Sequence, residues 1–355
     1  MEMNNLAQSD DSDRLASRFF QQSVEAGARH KLEDSATYCR KAAELWEASG
    51  SKHVSKAYHQ LGMIAYAKHE YGAAEDWYQR ALEKDEECGD AIGAAKTLNN
   101  LGAVACARKD YAAAEVYLRK SITIKEDHGD NLGVARSLHQ LGIVESRRGD
   151  VEAARELYFK AIEINLKSGN EVGVARNYGN LVTIARSQGL TGDKEVSGWF
   201  EKALHIFQEK GDVNAILELG KIAEHYSDWK DAEIVYRTAA ETANRSGDLE
   251  YKAYSYQSLG ALAARLCDYE AALSWYREAM QAHEERGATD CVAKACMSMG
   301  NLELARSSSK RPDFRSSKKW FQKAIELGAA TSWRERLTIY GRLWRYRFAN
   351  YFSKQ

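Results

Sequence analysis

Apolar residues return along this chain at helical spacing, and the helices themselves return at a fixed interval. Leu98, Leu101 and Ala105 fall on one face of a first helix, and Ala114, Tyr117, Leu118 and Ile122 on one face of a second. A Leu-Gly pair or near equivalent recurs at Leu61-Gly62, Leu101-Gly102, Leu141-Gly142, Leu181-Val182, Leu219-Gly220, Leu259-Gly260 and Met299-Gly300, in steps of 40, 40, 40, 38, 40 and 40 residues. Farther along most periods stands a small residue, as at Ala81, Ser121, Ala161, Ala239 and Ala279. Each period therefore predicts one helix pair. Glycine inside a helix costs about 1 kcal/mol against alanine, so its recurrence predicts a seam where the partner helix approaches closely. Between pairs, Gly89-Asp90, Gly129-Asp130, Gly169-Asn170, Gly211-Asp212 and Gly247-Asp248 predict a left-handed glycine ending one helix and an Asp or Asn capping the next.

Composition sharpens this picture. Over 355 residues, 44% hydrophobic content excludes wholesale disorder, and the single proline, Pro312, points to a mostly helical chain. Fifty basic residues against 51 acidic exclude general nucleic-acid coating, though not a local patch. The start, MEMNNLAQSDDSDR, is polar and acidic and predicts a disordered tail over 1–13. With no apolar run near the ~18 residues of a spanning helix, a soluble, cytoplasmic chain is expected. Six cysteines without a CxxC pair read as small hydrophobes in a reducing compartment. There is no Gly-rich phosphate loop, nucleophile elbow or metal-ligand spacing, so no catalytic residue, cofactor or metal is expected. Glu145 and Glu303 interrupt an apolar register, and are expected to be helix carboxylates paired with Arg147 and Arg306.

Leu61, Gly62, Ala74, Tyr78 and Ala81, opened by Tyr58, stand at the relative spacing of the tetratricopeptide repeat. Leu259, Gly260, Ala272, Tyr276 and Ala279, opened by Tyr256, repeat it. The chain resembles that family from about Leu32 to Leu327, and its 40-residue period with Gly-Asp links is similar to the Leu-Gly-Asn (Pins) adaptors and kinesin-light-chain arrays. The resemblance implies an all-α fold, a right-handed α-solenoid of about seven to eight antiparallel helix pairs over 14–333. The first pair (Leu32, Tyr38, Ala42, Gly50) is degenerate. A basic-aromatic segment over 334–355, with Leu337, Tyr340, Trp344 and Phe348 at helical spacing, is expected to be a C-terminal capping helix. Extra residues around Gly189 to Gly192 and in SSSKRPD, 307–313, are expected to be surface loops.

With the Leu-Gly leucine as position seven, the resemblance assigns positions two, five, six, nine and twelve to the concave face. Position two carries Lys56, Lys96, Arg136 and Arg176, and position six carries Gln60, Asn100, Gln140 and Asn180. Asn99 and His139 fall at position five, and Arg147, Arg186 and Arg265 at or beside position twelve. Amides offer a donor and an acceptor to the backbone of an extended peptide, and a row of cations favours carboxylates. The expected function is a non-enzymatic protein–protein interaction adaptor that binds an extended acidic peptide in its groove and takes no small-molecule substrate. Two other readings stand beside it. One is a regulatory subunit or sensor acting on an enzyme partner. The other is an RNA-binding helical repeat, which would need a repeating base-reading pair and basic-aromatic inner positions, and whose families the period and the Gly-Asp links do not resemble.

Overall fold

The structure is a computed structural model that describes residues 2–29, 31–190, 192–306, 314–328 and 341, excepting the side chains of 2–11 and 314. Every regular element among the described residues is α-helix. In chain order the helices pair as α1 (Glu2–Ala28) with α2 (Leu32–Ala48), α3 (Val54–Ala67) with α4 (Tyr71–Glu87), α5 (Ala91–Ala107) with α6 (Tyr111–Asp127), and α7 (Asn131–Arg148) with α8 (Val151–Lys167). Next come α9 (Glu171–Ser187) and α10 (Lys194–Lys210). The pairs α11 (Val213–His225) with α12 (Trp229–Ser246), α13 (Leu249–Arg265) with α14 (Tyr269–Glu285) and α15 (Thr289–Arg306) with α16 (Phe314–Glu326) complete the order. Contacts gather these helices into two compact units, residues 1–184 and 185–355. No described helix is long and apolar enough to cross a membrane.

Within the first unit, the buried stripe of each second helix repeats: Ala74, Tyr78 and Ala81 on α4, Ala114, Leu118 and Ser121 on α6, Ala154, Tyr158 and Ala161 on α8. Each packs against the Leu-Gly of its partner and the first helix of the next pair, as Tyr78 does with Leu101 and Val104. The glycines are the seam the periodicity predicts. A Cβ placed on Gly142 would stand 2.6 Å from the Tyr158 ring, inside the distance at which something must move. Gly142→Ala is therefore expected to destabilise the protein by about 1–3 kcal/mol through overpacking, outweighing the helix-propensity gain of about 1 kcal/mol. Urea unfolding reads this directly, and wild-type stability in the variant would mean that the ring swings aside without cost.

The links follow the same logic. Gly129 takes φ 69°, and the Asp130 carboxylate accepts from the Gly133 N–H at 2.9 Å, capping α7. A second left-handed position closes the turn inside six of the pairs, at His69, Lys109, Gly149, Gly189, Ser227 and Cys267. Composition hides this one, because only two of the six are glycine.

Two expectations change. Helix α1 begins at Glu2, so the stretch read as a disordered tail over 1–13 is helical from its second residue. The Asp13 carboxylate accepts hydrogen bonds from the Ser49 and Ser51 hydroxyls at 2.8 and 3.1 Å, and Ser23 and Ser35 each donate to the other's carbonyl at 2.8 Å. These bonds tie α1 to α2 and to the turn that follows it. Glu145 is buried, and burial raises its carboxyl above the usual range, but its partner is Arg148 at 3.2 Å and not Arg147. Arg148 leans back to Glu115 at 2.8 Å, bridging two pairs. The expected capping helix over 334–355, Gly341 apart, and the 307–313 loop lie outside the described residues.

Candidate functional site

The four position-two cations stand one per first helix in the first unit: Lys56 on α3, Lys96 on α5, Arg136 on α7 and Arg176 on α9. All four are exposed, and among the described residues none pairs with a carboxylate. Their helices hold them there because the neighbouring residues on either side are core: Ala95 and Thr97 flank Lys96, and Ala135 and Ser137 flank Arg136, all buried.

Three adjoining clefts run along this face. The first, about 260 Å³, has Lys56, Gln60 and Lys96 with two acids, Asp85 and Asp90. The second, about 460 Å³, lies between Lys96 and Arg136 and is lined by no carboxylate. The third, about 320 Å³, is walled by Arg136, His139, Gln140 and Arg176. Lys96 is shared by the first two and Arg136 by the last two, so the cations form the partitions. A segment laid along the clefts would pass cation after cation, with the most positive stretch in the middle.

The amide row is divided in its duties. The Asn100 side chain contacts His59 Nε2 at 2.8 Å, and Asn180 lies near the Tyr158 hydroxyl, whose pKa it pulls down against the larger effect of burial. Gln60 and Gln140 are half-buried and make no side-chain hydrogen bond among the described residues. His139 contacts Asn177 Oδ1 through Nδ1 at 3.1 Å, and burial lowers its pKa below the ordinary histidine value, as it does for His59. Both rings are therefore neutral at physiological pH, when they offer hydrogen bonds and no charge.

Four of the residues expected on the concave face are placed differently. Asn99 is 6% exposed and accepts a hydrogen bond from Ser137 at 2.9 Å, so it belongs to the floor and not to an open wall. Arg186, 4% exposed, lies over the Phe200 ring at 4.7 Å and donates to Asp228 and Asp231 at 3.0 and 2.7 Å. Its Nη2 makes both bonds of this buried tie within the second unit, and its Nη1 is enclosed and not open to a guest. Arg147 is exposed but turns to the Cys106 sulfur at 3.7 Å and does not line the clefts described. Arg265, likewise, pairs with Glu224 at 2.7 Å over the Trp229 ring.

Sequence reasoning missed Lys125. It sits in the last turn of α6, 1% exposed, at the floor of the middle cleft, and donates to the Ser137 hydroxyl at 2.8 Å. Burial lowers its pKa from the ordinary lysine value to about 8. The available signal was register. Ala114, Leu118, Ser121 and Lys125 form one buried stripe, and its fourth place reads Asp85, Lys125 and Asn165 in three successive second helices.

A model described as tetratricopeptide repeat matches residues 26–87 and 93–167. No curated protein matches the chain. Among solved structures, aspartyl phosphate phosphatase F from Bacillus subtilis is 14% identical, covering 83% of this chain and 76% of that one, with a TM-score of 0.51. A Rap protein complexed with competence and sporulation factor is 16% identical over 87% of this chain and 100% of that one, at a TM-score of 0.47. A kinesin light chain from Podosopora anserina with nearly identical repeats is 14% identical over 56% and 97%, at 0.46. At such identities the likeness concerns fold alone. The matched segments run from α2 to α8, so this part of the chain is built of tetratricopeptide repeats, and the same seam returns in the pairs beyond them.

Proposed function

We propose that the protein is a non-enzymatic interaction adaptor whose first unit binds an extended acidic segment of a protein partner along the face carrying Lys56, Lys96, Arg136 and Arg176. One observation carries this reading: four cations at one register, unpaired among the described residues, line a row of three clefts, and two of them, Lys96 and Arg136, form the partitions. Exposed cations at arbitrary places serve solubility, but here they alternate with half-buried amides that have hydrogen-bonding capacity to spare. Each charge-assisted bond to a guest carboxylate is worth about 1.5–3 kcal/mol and each neutral one about 1, so several together give useful affinity. His59, His139 and the engaged amides hold the walls in place.

The test uses a fluorescein-labelled decapeptide of alternating Glu and Gly beside its Gln-Gly counterpart, read by fluorescence anisotropy. Wild type should prefer the acidic peptide, and the preference should fall as salt shortens the Debye length from about 10 to 3 Å. Arg136→Glu, at the partition between two clefts, should weaken the acidic peptide by about tenfold or more with helicity unchanged. Asn100→Ala should cost less, on the order of 1 kcal/mol, and leave the salt dependence alone. Equal binding of both peptides by wild type would remove the basis for this function.

A further inference from the structure

The middle cleft differs from its neighbours in having a charge at its bottom. A buried ammonium ordinarily meets a carboxylate, because an uncompensated charge in a poorly solvated place is costly. Among the described residues Lys125 Nζ has one hydrogen-bonding partner, the Ser137 hydroxyl, and no carboxylate. Asp130 attracts it from beyond pairing distance, while Lys96 and Arg136 repel it. Ser137 in turn donates to Asn99 Oδ1, so the oxygen of that amide is engaged and its N–H groups are what it has left to offer. The floor thus presents donors with no carboxylate in the lining to answer them, below a rim of Lys96 and Arg136.

We propose that this cleft is an anchor subsite for one glutamate side chain of the guest, with Lys125 Nζ and the Asn99 amide as the donors that receive its carboxylate. The inference rests on the groove reading above and deepens it. The walls choose glutamate over a compact anion. Met63, Tyr66 and Ala103 give the cleft an apolar lining, suited to the methylenes that carry a carboxylate. At about 460 Å³ the cleft has room for such a side chain. Lys125 gains the counter-charge that the empty fold denies it, and it gains it where water is largely excluded, so the pair is worth more than one at the rim.

Reach gives the test its specificity. Aspartate is one methylene shorter, so wild type should bind the alternating Glu-Gly decapeptide about tenfold more tightly than an Asp-Gly one. Lys125→Met, which keeps an unbranched side chain, should weaken the Glu-Gly peptide by about tenfold or more and erase the Glu-over-Asp preference. Lys125→Gln, which retains a donor for Ser137, should do the same and covers the case in which the methionine variant fails to fold. Lys96→Gln, at the rim, should weaken both peptides alike and keep the preference. Glutarate should displace the peptide from wild type at lower concentration than inorganic phosphate does. If wild type fails to bind the Glu-Gly peptide at all, the groove reading falls and takes this one with it. If it binds, but folded Lys125 variants bind equally well with the same Glu-over-Asp ratio, the anchor alone falls. If phosphate is the better competitor in wild type and loses that advantage in Lys125→Met, the site is an anion site of another kind and the glutamate assignment is wrong.

Discussion

Arg186→Met should lower the stability of the second unit by about 2–4 kcal/mol, somewhat under the range for breaking a fully buried ion pair, and its melting midpoint by roughly 5–15 °C. The guanidinium is enclosed, whereas the side chains of its partners Asp228 and Asp231 remain about a quarter exposed, so part of the cost is relieved by water. What remains is the loss of two charge-assisted bonds and the packing on Phe200, with two carboxylates left facing each other. The deficit should also depend on pH. Burial, and then the neighbouring Asp228, hold the Asp231 carboxyl above its ordinary value, while Arg186 pulls it back down. Without the guanidinium only the upward push is left. A carboxyl with a raised folded pKa binds more protons folded than unfolded, so its contribution to stability falls as pH rises through that pKa. The difference between variant and wild type should therefore be largest near neutrality and narrow toward pH 4. A variant that melts with wild type at neutral pH would show that Arg186 is dispensable to the fold and reopen its expected place in a binding face.

Arg186 also shows where a one-dimensional reading stops. Position twelve of a first helix was assigned to the open face by resemblance, and register alone cannot reveal that Asp228 and Asp231, more than forty residues later, reach the same spot. The seam was legible because it is repeated: a glycine that costs helix stability in six of seven periods has to be compensated by packing, and the structure places an aromatic or Leu118 against each one. Capping was legible for the same reason, Gly then Asp being a local code. The turn inside each pair was not, because His69, Lys109, Ser227 and Cys267 take the left-handed region under geometric compulsion and leave no compositional trace. Half of the amide row was legible as a pattern but not as a role, since whether Asn100 faces a guest or His59 is decided by a ring donated from the preceding pair. Lys125 escaped because attention to first helices leaves the second helices as mere core, although a lysine in a stripe of Ala114, Leu118 and Ser121 breaks that core's own rule.

Lys125→Met should make the unliganded protein more stable at neutral pH, by about 1–3 kcal/mol, an outcome opposite in sign to most core substitutions. The ammonium is 1% exposed, has Ser137 as its hydrogen-bonding partner, and holds its proton only up to about pH 8, against 10.5 for an ordinary lysine. A lysine with a depressed folded pKa binds fewer protons folded than unfolded between those two values, so its contribution to stability rises with pH across that window. Below about pH 8 both states are charged and the folded chain bears the whole cost of burying the charge. Above it the folded chain sheds the proton first, and the cost disappears as pH approaches 10.5. Methionine fills nearly the same space with no charge, so its advantage should be full at pH 7 and largely gone by pH 10, while every other group titrates alike in both proteins and cancels in the difference. Urea unfolding of the pair at the two values measures this. Equal stability at pH 7, or an advantage that persists unchanged at pH 10, would mean that the ammonium is solvated or paired in the fold after all. A stabilising change at a position that natural sequence nonetheless fills with lysine is the signature of a group kept for binding at the expense of folding, and it joins the stability measurement to the peptide measurement through a single nitrogen atom.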